Sequence, residues 1–158
     1  VFTDALPDTL SLADVGIAHR RAPDIAFVTT AHDGTNAAGL VGRCSHDTSG
    51  LATDGGLHGG LHPIELGNWF ALQGASNAGI EAYRVVDTPC GIVDVLPTVL
   101  HLLGIEEEHQ LDGRVLHELL GEVLPDASVE IVESVAAGMV LERSPFAGAT
   151  YLERGYRR

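Results

Sequence analysis

The chain has 158 residues, 45% of them hydrophobic, and a formal net charge of −13, so it is long and apolar enough for one domain with a real core or for part of a larger one. All nine basic residues are arginine, and so acidic a surface repels a phosphate backbone, which argues against binding of a nucleic-acid polymer. No apolar run approaches the ~20 residues that span a bilayer, and no basic region followed by an apolar stretch marks a signal peptide.

The chain begins at Val1 rather than Met and reads as a fragment or a processed piece. Residues 1–21 mix short apolar groups with Asp, Pro and Gly, a connecting segment with one helical turn near Leu10–Val15. Asp24–Thr30 is apolar and β-branched, bounded by Pro23 and Gly34, and predicts a buried strand. Ala31–Gly60 is long and polar, a loop of the length that usually carries function or motion. Asn68–Gln73 predicts a second strand and Tyr83–Asp87 a shorter third. Ile92, Val95, Leu96, Val99, Leu100 and Leu103 recur at helical spacing. Asp94 is the natural N-cap of that helix, Pro97 fits its first turn, and Gly104 closes it. Asp112-Gly113 marks a turn, and Val115–Leu120 predicts another short helix. Val129–Val135 fits helix or strand, while Met139–Arg143 and Thr150–Leu152 can pair as a hairpin across Pro145–Gly148. Strands alternating with amphipathic helices predict an α/β fold, a layered sheet with flanking helices. Ligands in such sheets collect where loops leave the carboxyl ends of strands.

The run Gly55-Gly56-Leu57-His58-Gly59-Gly60-Leu61-His62-Pro63 is the most informative stretch. Glycine tolerates sharp turns and close approach, so the His58 imidazole can be aimed at a fixed point, and imidazole is the commonest metal ligand. From composition alone, a solvated glycine-rich loop is the more frequent outcome of such a run.

The wider sequence favours the metal ligand. Gly56-Leu57-His58-Gly59-Gly60-Leu61-His62-Pro63 followed by Asn68–Gly74, Arg21–Ile25, Asp94-Val95-Leu96-Pro97-Thr98 followed by Leu102-Leu103-Gly104, and Leu111-Asp112-Gly113-Arg114-Val115-Leu116 stand in order along nearly the whole chain. Together they resemble the C-terminal portion of the alkaline phosphatase superfamily, in its type I phosphodiesterase / nucleotide pyrophosphatase branch. The resemblance implies that residues 1–158 are the C-terminal part of one alkaline phosphatase-like catalytic domain. It implies hydrolysis of a small phosphodiester or nucleotide-type phosphate ester at a centre of two divalent metal ions, usually zinc. Such ions would reverse the local sign of an acidic surface. His58 is then a metal ligand, Asp54 a candidate acceptor for the imidazole's other nitrogen, and His62 either lines the site or is simply solvated.

The family's nucleophile and remaining metal ligands belong to its N-terminal half, so no catalytic residue is placed here and the chain alone is expected to be inactive. A sulfatase or phosphomutase relative is an alternative, as is a non-catalytic binding or assembly module. His32-Asp33 and His46-Asp47 read as loop residues, and Asp94, Pro97 and Thr98 as structural ones. Arg114 is expected to pair with a carboxylate. His101, His109 and His117 are spaced around a helix–loop–helix and read as surface or interface residues. Thr29, Thr30 and Thr98 lack a neighbouring base or metal to activate them. Cys44 and Cys90 make neither a disulfide framework nor a four-cysteine zinc site, and read as two small, partly buried thiols.

Overall fold

A computed structural model describes residues 1–35, 39–44, 58–74, 80, 83–122, 124 and 132–158. Among these, strands β1 (Ala31–Thr35) and β2 (Val41–Cys44) form one antiparallel pair. Strands β3 (Val132–Ala136), β4 (Met139–Phe146) and β5 (Ala149–Arg157) form a second sheet in that order. The helices are α1 (Pro63–Leu66), α2 (Val95–Leu103) and 3₁₀ turns at Leu12–Val15, Ile92–Asp94 and His117–Leu120. The chain is thus mixed α/β with two antiparallel sheets and few helices, rather than strands alternating with long helices.

Two units can be described. The first comprises Val1–Asn68, Val132–Arg143 and Leu152–Arg158, the second Trp69–Ile131 and Ser144–Tyr151. In the first, Phe2, Leu10, Leu12 and Leu141 form a buried cluster, with Val28, Leu61, Met139 and Leu152 packed against it. Phe2 bridges Leu10 in parallel and Ala26 in antiparallel fashion. The 3₁₀ turn at Leu12–Val15 is fixed by a reciprocal cap: the Ser11 hydroxyl accepts from the Ala13 amide, and Asp14 accepts from the Ser11 amide.

The late hairpin exists and is longer than its sequence signal. β3–β4 turns on Ala137-Gly138 and β4–β5 on Ala147-Gly148, all four residues with positive φ, as a two-residue type I′ turn requires. Alanine is a poor advertisement for that conformation, so the first turn left no mark and β3 stayed ambiguous between helix and strand. β4 is the middle strand, and its Val140, Leu141 and Ser144 are almost fully buried.

Three expected strands are corrected. Asp24–Thr30 makes one bridge, at Ala26, and its side chains alternate: Ile25 and Phe27 face solvent while Ala26 and Val28 turn inward. Among the described residues its only ladder partner is the single residue Phe2, too short a template for a strand. The polar segment that follows, expected as loop, instead pairs as β1–β2. Asn68–Gln73 has no ladder among the described residues, and its Trp69 is exposed. Tyr83–Asp87 is irregular, and Tyr83 has φ +60°, which a strand cannot hold.

α2 forms where the apolar period placed it. It ends in a Schellman arrangement: Gly104 is left-handed at φ +66°, its amide bonds the His101 carbonyl, and the Ile105 amide bonds the Leu100 carbonyl. Two details differ. Asp94 does not cap α2 with its side chain. Of the six apolar residues at helical spacing, Ile92, Leu96, Val99 and Leu103 are exposed and Val95 and Leu100 half-buried, whereas Pro97 and Thr98 are buried. The helix faces its own unit with the motif residues and presents its apolar stripe outward.

Candidate functional site

His58 stands exposed beside Gly59, whose φ is +95°. Among the described residues it has no hydrogen-bond or ionic partner. Asp54, and with it the suggested orienting bond, lies outside the described residues, as do His46 and Asp47. Three residues on from Gly59, His62 is the N-cap of α1. Its Nδ1 accepts from the Ile64 amide at 3.2 Å and its Nε2 lies 3.0 Å from Asp33 Oδ1. Those two bonds together select the neutral tautomer with the proton on Nε2, donated to Asp33. Pro63 at the first helical position fits this cap, since its missing N–H would be unbonded there. His62 is therefore held by local structure rather than solvated. It and His32 line an open cleft of about 520 Å³ in the first unit, together with Phe2, Val28, Met139 and Tyr156.

The second unit is organised around Arg114. Its guanidinium is 8% exposed and grips Glu118 with two bonds, Nη2 to Oε1 at 2.6 Å and Nη1 to Oε2 at 2.9 Å. This is the fork geometry that makes arginine–carboxylate pairs strong. Nε donates to Tyr151 Oη at 3.0 Å, and Nη2 also reaches the Pro89 carbonyl at 2.9 Å. Tyr151 passes its own proton to Asp94 Oδ2 at 3.0 Å. Asp94 is fully buried and accepts further bonds from the amides of Gly91 and Arg114, each at 2.8 Å. Thr88 donates to Glu118 at 2.7 Å, and Arg114 lies over the Phe146 ring at 4.9 Å. Thr98 accepts from the Leu116 amide at 3.1 Å. The two motif segments, Asp94–Thr98 and Asp112–Leu116, thus fold into one buried polar network.

Burial works against the charges of this pair, but their mutual bonds win. Glu118 is held below the usual carboxylate range by Arg114 and Thr88, and Arg114 is pushed further above its ordinary value by Glu118 and Tyr151. Burial, together with the bond to Asp94, pushes the Tyr151 phenol up. The lowered Glu118 value stabilises the fold above the ordinary glutamate value of about 4.3, and that contribution is lost as pH falls through the lower folded value. The raised Tyr151 value contributes below about 10 and is lost as pH rises through the higher folded value. Thermal unfolding followed over pH is expected to show an acid limb that is smaller in Glu118→Gln, the rest coming from carboxylates such as Glu142, which its bond to Arg154 also holds below the ordinary value. An unchanged acid limb in that variant would place its origin elsewhere.

Arg114 has the carboxylate partner expected of it, and the structure decides that this is Glu118, four residues on. Tyr151, 37 residues away, carried no sequence signal. Cys90 is unpaired and exposed rather than partly buried. What burial its thiol has, with Asp94 nearby, raises its pKa, so it stays a thiol at neutral pH. The side chain of Cys44 lies outside what is described.

The histidines near the second motif are not all isolated. The rings of His101 and His117 meet edge to face, with centroids 5.1 Å apart. His117 Nδ1 lies 2.9 Å from Glu122 Oε1. One ligand atom from each of these three residues falls within 4.8 Å of the other two. His109 instead bonds Glu107, two residues away.

No family model, curated protein or solved structure matches the chain. The functional reading therefore rests on the motifs and on the geometry around them.

Proposed function

We propose that the chain is the C-terminal portion of a metal-dependent phosphoric ester hydrolase with an alkaline phosphatase-like fold, and that His58 is the metal ligand it contributes. What carries this reading is the ordered run of four motifs that ends at Asp112-Gly113-Arg114, with His58 exposed in the glycine-rich run. The donor fits the role: an exposed imidazole that has no competing partner among the described residues, beside a glycine whose backbone can approach an ion closely. Zinc ions bound there would polarise the phosphoryl oxygens and stabilise the attacking and leaving oxygens. The substrate class is a small phosphodiester or a nucleotide-type ester. The buried Asp94–Arg114 network has a supporting part, tying α2 to the Asp-Gly-Arg turn.

The outward stripe of α2 supports the idea that more protein covers this chain. Ile92, Leu96, Val99 and Leu103 lie at i, i+4, i+7 and i+11, a continuous apolar face. Such a face normally packs on a core. In a complete hydrolase the rest of the catalytic domain would cover it; in a binding module, a partner would.

The test is His58→Ala in the full-length protein. Zinc content and cleavage of bis(p-nitrophenyl) phosphate are both expected to fall steeply, with circular dichroism unchanged because His58 is exposed. Full cleavage by the variant would refute the assignment of His58. Absence of metal-dependent cleavage by the unaltered protein would favour the binding module.

A further inference from the structure

We propose that His101, His117 and Glu122 form a zinc-binding site in the second unit, using no residue of the His58 loop. Two imidazoles and one carboxylate are an established zinc donor set, and three protein ligands leave a fourth position for water.

The three side chains are brought together by hydrogen-bonded backbone. His101 lies in the last turn of α2, three residues after Thr98 and therefore on the same side of the helix. Thr98 and Leu116 are both buried, and the Thr98 hydroxyl fixes the Leu116 amide at 3.1 Å. That bond sets the next residue, His117, beside His101. The chain then reverses: Gly121 takes φ +86°, its amide bonds the His117 carbonyl, and the Glu122 amide bonds the same carbonyl at 3.1 Å. The turn returns the Glu122 carboxylate to within 2.9 Å of His117 Nδ1. The backbone of all three ligands is thus placed before any ion arrives.

The side chains themselves remain accessible. His101 and Glu122 are exposed and His117 is half-buried, so an ion can reach them from solvent. Tetrahedral zinc with bonds of ~2.0–2.2 Å sets its ligand atoms about 3.4 Å apart. The present spread of up to 4.8 Å has to close by rather more than ~1 Å on binding, a change within reach of rotations of the exposed His101 and Glu122 side chains. The field favours a cation as well. The site lies at the C-terminal end of α2, the negative end of the helix dipole, on a chain of net charge −13.

Zinc uptake is measured by equilibrium dialysis of the whole chain carrying His58→Ala, so that an ion held through His58 is not counted. One zinc per chain is expected. His101→Ala, His117→Ala and Glu122→Gln are each expected to weaken it at least ~10–100-fold, the loss that even an outer hydrogen-bond partner of a ligand causes. Zinc should also raise the melting temperature of the parent and not that of His101→Ala. That variant is the control for folding, since its side chain is exposed and, among the described residues, gives up only the edge contact with the His117 ring. No zinc uptake by the parent overturns the proposal, and so does uptake that survives the His101→Ala/His117→Ala double substitution.

Discussion

Arg114→Ala is expected to destabilise the second unit by about 3–5 kcal/mol, the cost of removing one partner from a buried ion pair. The loss does not come from the attraction between Arg114 and Glu118 alone. Glu118 is 4% exposed on its side chain, and without the guanidinium its carboxylate keeps only the Thr88 hydroxyl as a side-chain donor. Tyr151 loses the donor to its oxygen, and the Pro89 carbonyl loses the Nη2 proton. An unpaired buried charge then has to protonate or pull water in, and either disturbs the packing around Phe146 and Leu116. Arg114→Lys should recover only part of the loss, because an ammonium cannot hold both oxygens of Glu118 and the Tyr151 hydroxyl in one plane. The double replacement Arg114→Met/Glu118→Leu should cost less than the sum of the single changes, since it leaves no charge behind. Urea unfolding of these variants, together with the single changes Arg114→Met and Glu118→Leu, gives the comparison. A cost below about 1 kcal/mol for Arg114→Ala would mean that the pair is solvated, as exposed pairs are.

The second large effect is expected at Gly113. A Cβ added there would collide with the carbonyl of Val93 and come within 2.8 Å of the Asp94 amide. Both obstacles are main chain in the 3₁₀ turn that opens α2, so no side chain can rotate away. Either the Asp112–Arg114 turn or the start of the helix must move. Movement of either breaks the 2.8 Å bond from the Arg114 amide to Asp94. Gly113→Ala is expected to cost about 3 kcal/mol, the upper end of what overpacking usually costs. The thermal midpoint should drop accordingly, and Gly121→Ala, at a position whose strain is conformational, tests a different mechanism. A Gly113→Ala variant as stable as the parent would show that the turn and the helix are not packed as described.

The role of Gly113 explains part of what the motif means. Asp-Gly-Arg reads from sequence as a turn, and it is one. The reason for its glycine is a backbone 20 residues earlier, which local pattern cannot show.

Local rules sufficed wherever the determinant lay within a few residues. The α2 period with its closing Gly104, a helical turn near Leu10–Val15, a carboxylate beside Arg114 and the hairpin across Pro145–Gly148 all followed from spacing and turn chemistry, while the structure decided that the carboxylate is Glu118. Tertiary structure decided the rest. Asp24–Thr30 and Asn68–Gln73 have strand-like composition, but a strand needs a partner at matching register, and composition does not supply one. Which face of α2 turns inward was decided by the hydrogen bonds of Thr98 and Asp94, which outweighed the apolar stripe. His101 and His117 are 16 residues apart and meet only because a buried hydroxyl anchors the chain between them. Helical spacing and capping are properties of neighbouring residues and can be read along the chain. Pairing, burial and the meeting of distant side chains depend on which surfaces find each other, and that is settled only when the chain folds.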